Sequence, residues 1–322
     1  MKTRILSEED LRACVPNDPD ALSAIENGFT WLLEGRVEMP PIMHFDVAAR
    51  KEVDVKGAVV RGEPAFAIKI ASGFYDNPAR GLASCSSSFV ILDSETGMTR
   101  AICVDNGYLM DLRTGLAGAV SVKHMARKSA SRLGVIGTGT QARWQARCIN
   151  LVRPLTKIVA FGRNTDALAT YCAEMTQELG VPVEAASSPA KVLSSTDMTV
   201  TTTPSKQPLV TANMIPPGHH ITAMGSDMPG KRELAPNCLE RADIIGCDDI
   251  DQCLNNGELQ QLSGQRDTVV PLGALTSGAV HLDRPDHAIS ICDLAGTGVQ
   301  DTAIALLALD RAEEAGLGTL VN

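Results

Sequence analysis

LGVIGTGTQARWQARCINLV, residues 133–152, runs from a short apolar segment through a glycine-rich hinge into a stretch with helical spacing. Leu133 to Gly137 suits a buried strand, and Gln141 to Val152 suits a helix that Pro154 terminates. Between them Gly137-Thr138-Gly139-Thr140-Gln141-Ala142 has the form GxGxxA. Such a loop needs its first glycine for the tight turn and its second so that backbone can approach a pyrophosphate. The small third residue permits close helix–strand packing. The helix N-terminus then offers free N–H groups and a positive dipole end to phosphates. A plain strand-to-helix turn is the bland alternative, but the strand before and the helix after favour a dinucleotide.

C-terminal to this loop, strands and helices alternate. Residues 157–161, 181–185, 198–203, 220–225 and 242–247 read as strands, and 166–179 as a helix stopped by Gly180. That alternation predicts a doubly wound parallel sheet of Rossmann type. Just before the loop, RTGLAGAVSVKHM (113–125) reads as a helix leading into the region.

The N-terminal side differs. Ser7-Glu8-Glu9-Asp10 forms a capping box opening a helix to Val15, and a second helix spans 19–33 with Gly35 ending it. Met39-Pro40-Pro41 breaks regularity, and 53–60, 65–70 and 87–92 read as strands of a largely antiparallel sheet. A last amphipathic helix covers 299–315. The fold class is therefore α/β: a Rossmann-type sheet together with an α+β domain.

Bulk properties narrow the function. A chain of 322 residues suits two domains, and 44% hydrophobic with 21% charged residues is ordinary for a globular protein. A net charge of −9 argues against nucleic acid and anionic membrane as partners. The start, MKTRILSEED, lacks the apolar core of a signal peptide, and no run of about 18 apolar residues follows. Nine cysteines, odd in number and without a CxxC, read as reduced thiols in a cytoplasmic protein. The six histidines form no HExxH pattern, so no metal is expected.

Cofactor choice should be set after the second strand, where NAD binders carry an acidic residue for the ribose 2′-hydroxyl. Here Gly162-Arg163-Asn164 follows, with no carboxylate before Asp166. Arg163 could hold a 2′-phosphate by charge-assisted hydrogen bonds, which favours NADP(H) within NAD(P). A solvated surface arginine is the alternative.

Four segments, AFAIKIASGFYDNP (65–78), DNGYLMDLRTGLAGA (105–119), GVIGTGTQARWQA (134–146) and GSDMPGKREL (225–234), resemble signature segments of the ornithine cyclodeaminase/mu-crystallin family. Within it, MPPI (39–42), EVDVK (52–56) and ICDLAGTGVQDTAIA (291–305) look most like members associated with ectoine and hydroxyectoine utilisation. The resemblance implies a substrate-binding and dimerisation domain, residues 1–116 and 299–322, with the dinucleotide domain, 117–298, inserted. It implies a homodimer that uses a bound nicotinamide to exchange hydride at an amine or imine carbon beside a carboxylate. Either a cyclodeaminase or an imine or ketimine reductase, acting on a small amino or imino acid, fits. A deaminase or dehydratase of ectoine breakdown without net redox turnover, and a non-catalytic NADPH-dependent binding protein, are the rival readings.

The resemblance assigns substrate contact to Lys69, carboxylate binding to Arg113 and catalysis to Asp227. A further family arginine aligns with His44 here, which weakens the case for ornithine as substrate. The residues themselves are compatible with these roles. Lys69 shares a strand face with Ala65, Ala67 and Ala71, leaving room for a ligand, and burial would lower its pKa towards proton-transfer range. Arg113 at a helix start would add that helix's free amides to its own fork. Asp227 follows a strand at the carboxyl end, where doubly wound sheets place ligands, although a turn residue is the alternative. His44 reads either as a substrate contact or as a structural histidine. The expected cofactor set is Gly137, Gly139, Thr140, Gln141, Ala142, Arg163, Asn164, Thr203, Pro204, Met224, Gly225 and Ser226.

Overall fold

The computed structural model describes residues 2–262 and 268–322. They form two compact units, Met1–Arg113 with Thr297–Asn322, and Thr114–Gly296. These boundaries lie a few residues N-terminal to those drawn from the sequence.

The chain begins with β1 (Thr3–Ser7), α1 (Glu8–Cys14) and α2 (Pro19–Leu33). Ser7 and Asp10 form the expected capping box, and Asp18 caps α2 by accepting from the Ala21 amide at 2.8 Å. Then come β2 (Val37–Glu38), β3 (Met43–Ala48), β4 (Lys51–Val60), β5 (Ala65–Phe74), β6 (Cys85–Asp93), β7 (Thr99–Val104) and α3 (Tyr108–Met125). Helix α3 starts five residues before the predicted Arg113. Asp105 is the reason: its Oδ2 accepts from the Leu109 amide at 2.9 Å, while Ser87 donates to both carboxylate oxygens. Asn106 and Gly107, both at positive φ, make the turn that aims this cap.

The second unit runs β8 (Arg132–Ile136), α4 (Thr140–Val152), β9 (Lys157–Phe161), α5 (Thr165–Leu179), β10 (Val183–Ala185), α6 (Pro189–Ser195) and β11 (Met198–Thr201). It continues with β12 (His220–Ala223), α7 (Pro236–Arg241), β13 (Ile244–Cys247), α8 (Ile250–Asn256), β14 (Val269–Pro271), α9 (Leu272–Thr276) and β15 (Ser290–Asp293). All its strand pairs are parallel, in the order β10-β9-β8-β11-β12-β15-β13-β14. The sequence reading missed β14 and β15, which are three and four residues long and follow a stretch without helical punctuation. Leu133, Val135, Ile158, Ala160 and Val200 fill one core cluster, and Ile136, Val159, Ile221 and Ile291 fill another. Alternate residues of β8 and β9 thus serve opposite faces, as a sheet covered on both sides requires. The strand order reverses between β8 and β11, the switch point where such sheets bind ligands.

The chain closes with α10 (Gly298–Ala315) and β16 (Thr319–Val321), which belong to the first unit. Its sheet has the order β16-β1-β7-β6-β5-β4-β2, with β3 also on β4. All pairs are antiparallel except β1 with β7. Strands β1, β2, β3, β7 and β16 are additions to the sequence reading. Helix α10 is amphipathic only in its C-terminal half: every residue from Gly298 to Leu306 is buried, polar ones included, whereas Asp310, Glu313 and Glu314 are exposed beside buried Leu309 and Ala312.

The glycines of RTGLAGA have a packing role inside the second unit. A Cβ at Gly115 would stand 2.7 Å from Cys148 Sγ and 3.0 Å from the Trp144 carbonyl, both on α4. Gly115→Val should therefore cost about 1–3 kcal/mol through overpacking, read as a lower denaturation midpoint with an unchanged m-value.

Candidate functional site

In the first unit, strand β5 carries Lys69 on the face it shares with buried Ala65 and Ala67. Helix α10 is fastened to this sheet near its start. Thr302 donates its hydroxyl to the Ala58 carbonyl at 2.8 Å and accepts from the Ala67 amide at 3.2 Å. A Cβ at Gly298 would come within 2.6 Å of the Gly57 carbonyl, so only glycine allows the helix to start so near β4. This docking places Asp301, fully buried, with Oδ2 2.7 Å from Lys69 Nζ. Its Oδ1 lies 2.9 Å from Arg113 Nε, and Arg113 Nη1 donates to Gln300 Oε1 at 2.7 Å. Lys69 and Arg113, 2% and 6% exposed, thus share one carboxylate.

Burial is the largest influence on Lys69 and the Arg113 charge the next. Asp301 opposes them, and the ammonium is lowered to about 7. Burial pushes Asp301 up, but the Arg113 and Lys69 charges outweigh it and the carboxyl ends below its ordinary range. Lys69 is therefore a group able to exchange a proton near neutral pH.

One expectation about Arg113 needs correction. It lies in the second turn of α3, where helix amides are already engaged in the i→i−4 ladder, so no free helix N-terminus accompanies its fork. His44 sits on β3 with Nδ1 2.7 Å from Asp54 Oδ1 and Nε2 3.4 Å from Asp46. Hydrogen bonding to Asp54 holds its pKa above the ordinary value. Asp54 is the cross-strand partner of His44 and of Ala71, which puts His44 on the sheet face of Lys69.

The second unit holds a cleft of about 640 Å³ at the carboxyl ends of β8, β9 and β11. Gly137, Gly139, Arg163, Asn164, Thr203 and Pro204 of the expected cofactor set line it, with Thr138, Thr202, Ser205 and Lys206 beside them. Gly137 has φ +115°, and a Cβ there would meet Thr202 Oγ1 at 2.5 Å. A Cβ at Gly139, the N-cap of α4, would meet nothing within 4 Å, so this backbone is open to a ligand. Ala142 is buried behind the loop among Leu133, Val135 and Ala160. No carboxylate occurs among the described residues that line the cleft.

Thr140, Gln141, Met224, Gly225 and Ser226, also expected here, do not line this cleft. Ser226 is buried, donating to the Lys231 carbonyl at 2.9 Å. The Gly225 amide donates to Glu233 at 2.8 Å. Asp227 is half-exposed after β12, with Lys231 Nζ 2.6 Å from its Oδ1.

Sequence reasoning overlooked two carboxylates. Asp301 had a signal: an acidic residue inside the otherwise apolar run of α10. Glu233 had none. It accepts from Thr201 Oγ1 at 2.6 Å, the Thr203 amide at 2.6 Å and Thr203 Oγ1 at 2.7 Å, besides Gly225. It thereby ties the end of β11, and the cleft wall that follows, to the end of β12.

Comparison with known proteins places these features. The model of the ornithine cyclodeaminase/mu-crystallin family matches residues 1–316. The chain belongs to that family. An uncharacterised cyclodeaminase of Sinorhizobium fredii is 41% identical over 98% of each chain. The iminosuccinate reductase of Paracoccus denitrificans, solved with NAD+, superposes with a TM-score of 0.90 at 28% identity over 100% of each chain. A dimeric archaeal alanine dehydrogenase with bound NAD superposes equally well, TM-score 0.90 at 27% identity, covering 100% of this chain and 99% of that one. The family fold is thus present along the whole chain.

The Lys69 shift has a measurable consequence. Its folded pKa, about 7, lies below the unfolded value near 10.5. Between those values the unfolded chain binds more protons, so this group makes stability rise with pH, by up to about 1.4 kcal/mol per unit. Denaturation of wild type and Lys69→Met at pH 7 and 9.5 checks the sign. The wild type should gain on the variant as pH rises.

Proposed function

We propose that this family member is an NAD(P)-dependent enzyme that exchanges hydride at an amine or imine carbon beside a carboxylate, as a cyclodeaminase or imine reductase. The observation that carries the reading is the buried Lys69–Asp301–Arg113 cluster, in which two cations are held by one carboxylate. In this reading Arg113 and Lys69 receive the substrate carboxylate, and Lys69, lowered to about 7, also passes a proton. Asp227 takes or returns the proton of the substrate nitrogen.

The dinucleotide fits the residues present. The open backbone at Gly139 and the N-terminus of α4 suit a pyrophosphate, and Arg163 suits a 2′-phosphate, which favours NADP(H). A bound nicotinamide supplies or accepts the hydride, and the protein supplies position and electrostatics. Both relatives solved with NAD support the cofactor class.

A homodimer is part of the same reading. Met43, Phe45 and Val47 are 57%, 48% and 54% exposed on one face of β3, and Ile70 of β5 is 43% exposed. Cross-strand register puts Met43 opposite Val55, and Val55 opposite Ile70, so an apolar band crosses this sheet face. The archaeal alanine dehydrogenase, itself a dimer, supports a dimeric state. Among the described residues no helix is long and apolar enough to cross a membrane, and we take the enzyme to be cytoplasmic.

The assay is turnover of cyclic imines and of 2-oxo acids with ammonium, followed by NADPH and NADH absorbance and by product analysis. Steady oxidation of the dinucleotide identifies a reductase; product from an amino acid at constant absorbance identifies a cyclodeaminase. Lys69→Met and Asp227→Asn should each lose at least about a hundredfold in turnover while still binding dinucleotide. Near-normal turnover in either variant rejects that residue's role.

Arg163→Ala should weaken NADPH by about 1–3 kcal/mol and leave NADH nearly unchanged in fluorescence titrations. Equal losses for the two cofactors would show that Arg163 does not read the 2′-phosphate.

A further inference from the structure

Asp227 stands directly before a tight turn. Met228-Pro229-Gly230-Lys231 has Pro and Gly at its two central positions, with Gly230 at φ +79°, and the Lys231 amide donates to the Met228 carbonyl at 3.2 Å. That is the sequence of a type II turn, whose third residue needs positive φ. The turn brings Lys231 back beside Asp227, with Nζ 2.6 Å from Oδ1. Other bonds hold the segment without this pair. The Gly225 amide donates to Glu233 at 2.8 Å, and Ser226 Oγ to the Lys231 carbonyl at 2.9 Å. The Gly230 amide donates to Gln260 Oε1 at 3.1 Å, and the Arg232 amide to the Ser205 carbonyl at 2.9 Å. An ion pair with a half-exposed partner adds little stability, and fixing a lysine costs side-chain freedom. Yet the Lys231 side chain is only 14% exposed against 49% for Asp227, so a covered ammonium is set against a carboxylate that a ligand can reach. The pair does more for the direction of that carboxylate than for the shape of the loop.

A carboxylate that exchanges a proton must present one oxygen in one direction, and its alignment depends on the groups that support it. No other hydrogen bond or ion pair reaches Asp227 among the described residues. We propose that Lys231 is a positioning residue for Asp227: its ammonium holds Oδ1, so that Oδ2 is the oxygen that exchanges the proton of the substrate nitrogen. This role rests on the one proposed for Asp227 above and adds the residue that aims it. In the amine-to-imine direction the N–H bond breaks as an O–H bond forms on Oδ2, and the imine-to-amine direction reverses this. Lys231 itself exchanges no proton in the step.

A double-mutant cycle tests it, with wild type, Lys231→Met, Asp227→Asn and the double variant. Each is assayed on cyclic imines and on 2-oxo acids with ammonium, with NADPH and NADH. Lys231→Met should lower kcat at least about tenfold and change KM less than about threefold, because a misaimed base slows the proton step without removing binding. In the Asp227→Asn background the same substitution should cost less than about twofold, since the group it aims is gone. Lys231→Arg, which keeps a charged donor at this place, should recover most of the lost kcat. A loss that recurs in full in the Asp227→Asn background comes from the fold or from a separate contact of Lys231. That result overturns the inference and leaves the role of Asp227 standing, as does an unchanged kcat in Lys231→Met. Near-normal turnover in Asp227→Asn overturns the role of Asp227 and this inference with it. Absence of all turnover in the wild type overturns the proposed function and both roles together.

Discussion

The first unit depends on the carboxylate of Asp301. Three elements meet at that group: β5 through Lys69, α3 through Arg113, and α10, which carries it. Removing charges from water costs several kcal/mol per ion, and mutual attraction repays this only with good geometry, so buried ion clusters are poor devices for stability alone. An apolar trio of similar volume would hold these elements as well or better. Placing two cations where water cannot screen them is what the cluster achieves, and the consequence is a lysine lowered to about 7. The backbone has been shaped to allow it. Gly298 and Gly57 let α10 start close to β4, and Thr302 locks the helix to the sheet one residue after Asp301.

The second unit uses a buried carboxylate differently. Glu233 faces hydroxyls and backbone amides rather than cations. Burial pushes its pKa up, and the hydrogen bonds from Thr201 and Thr203 pull it back. Buried charge is tolerated here because four donors satisfy it. The effect is geometric: strand ends beside the switch point are bound to each other, so the Thr202–Thr203 wall of the cleft has a fixed position. One carboxylate tunes a proton, and the other holds a wall.

Those differences explain what could be read from the sequence. GxGxxA between a strand and a helix is legible because each glycine answers a local demand: positive φ at Gly137 and open approach at Gly139. Lys69 on a face of alanines is legible because period-2 alternation is local. The Arg113 helix start was misread because the cap comes from Asp105, and small residues at 113–119 drew the boundary to themselves. Asp301 and Glu233 take their meaning from partners 188 to 232 and 8 to 32 positions away, and no periodicity signals such pairs. The short strands β14 and β15 were missed for a related reason: a buried parallel strand of three or four residues is stabilised by its neighbours, not by its own pattern.

Strand register decides which side chains meet, beyond what each residue shows alone. Lys56, read alone, is a polar residue on an antiparallel strand and attracts no notice. Set opposite Lys69 by the eight residue pairs that join β4 to β5, it stands beside the buried ion cluster. A one-residue slip would move Lys56 to the other face, because side chains alternate along a strand. The long pairing of β4 with β5 makes that slip costly, since it would also move buried Ala58 and Val60 off the core face. The same hydrophobic pattern that folds the sheet therefore also fixes the face on which Lys69 meets Asp301.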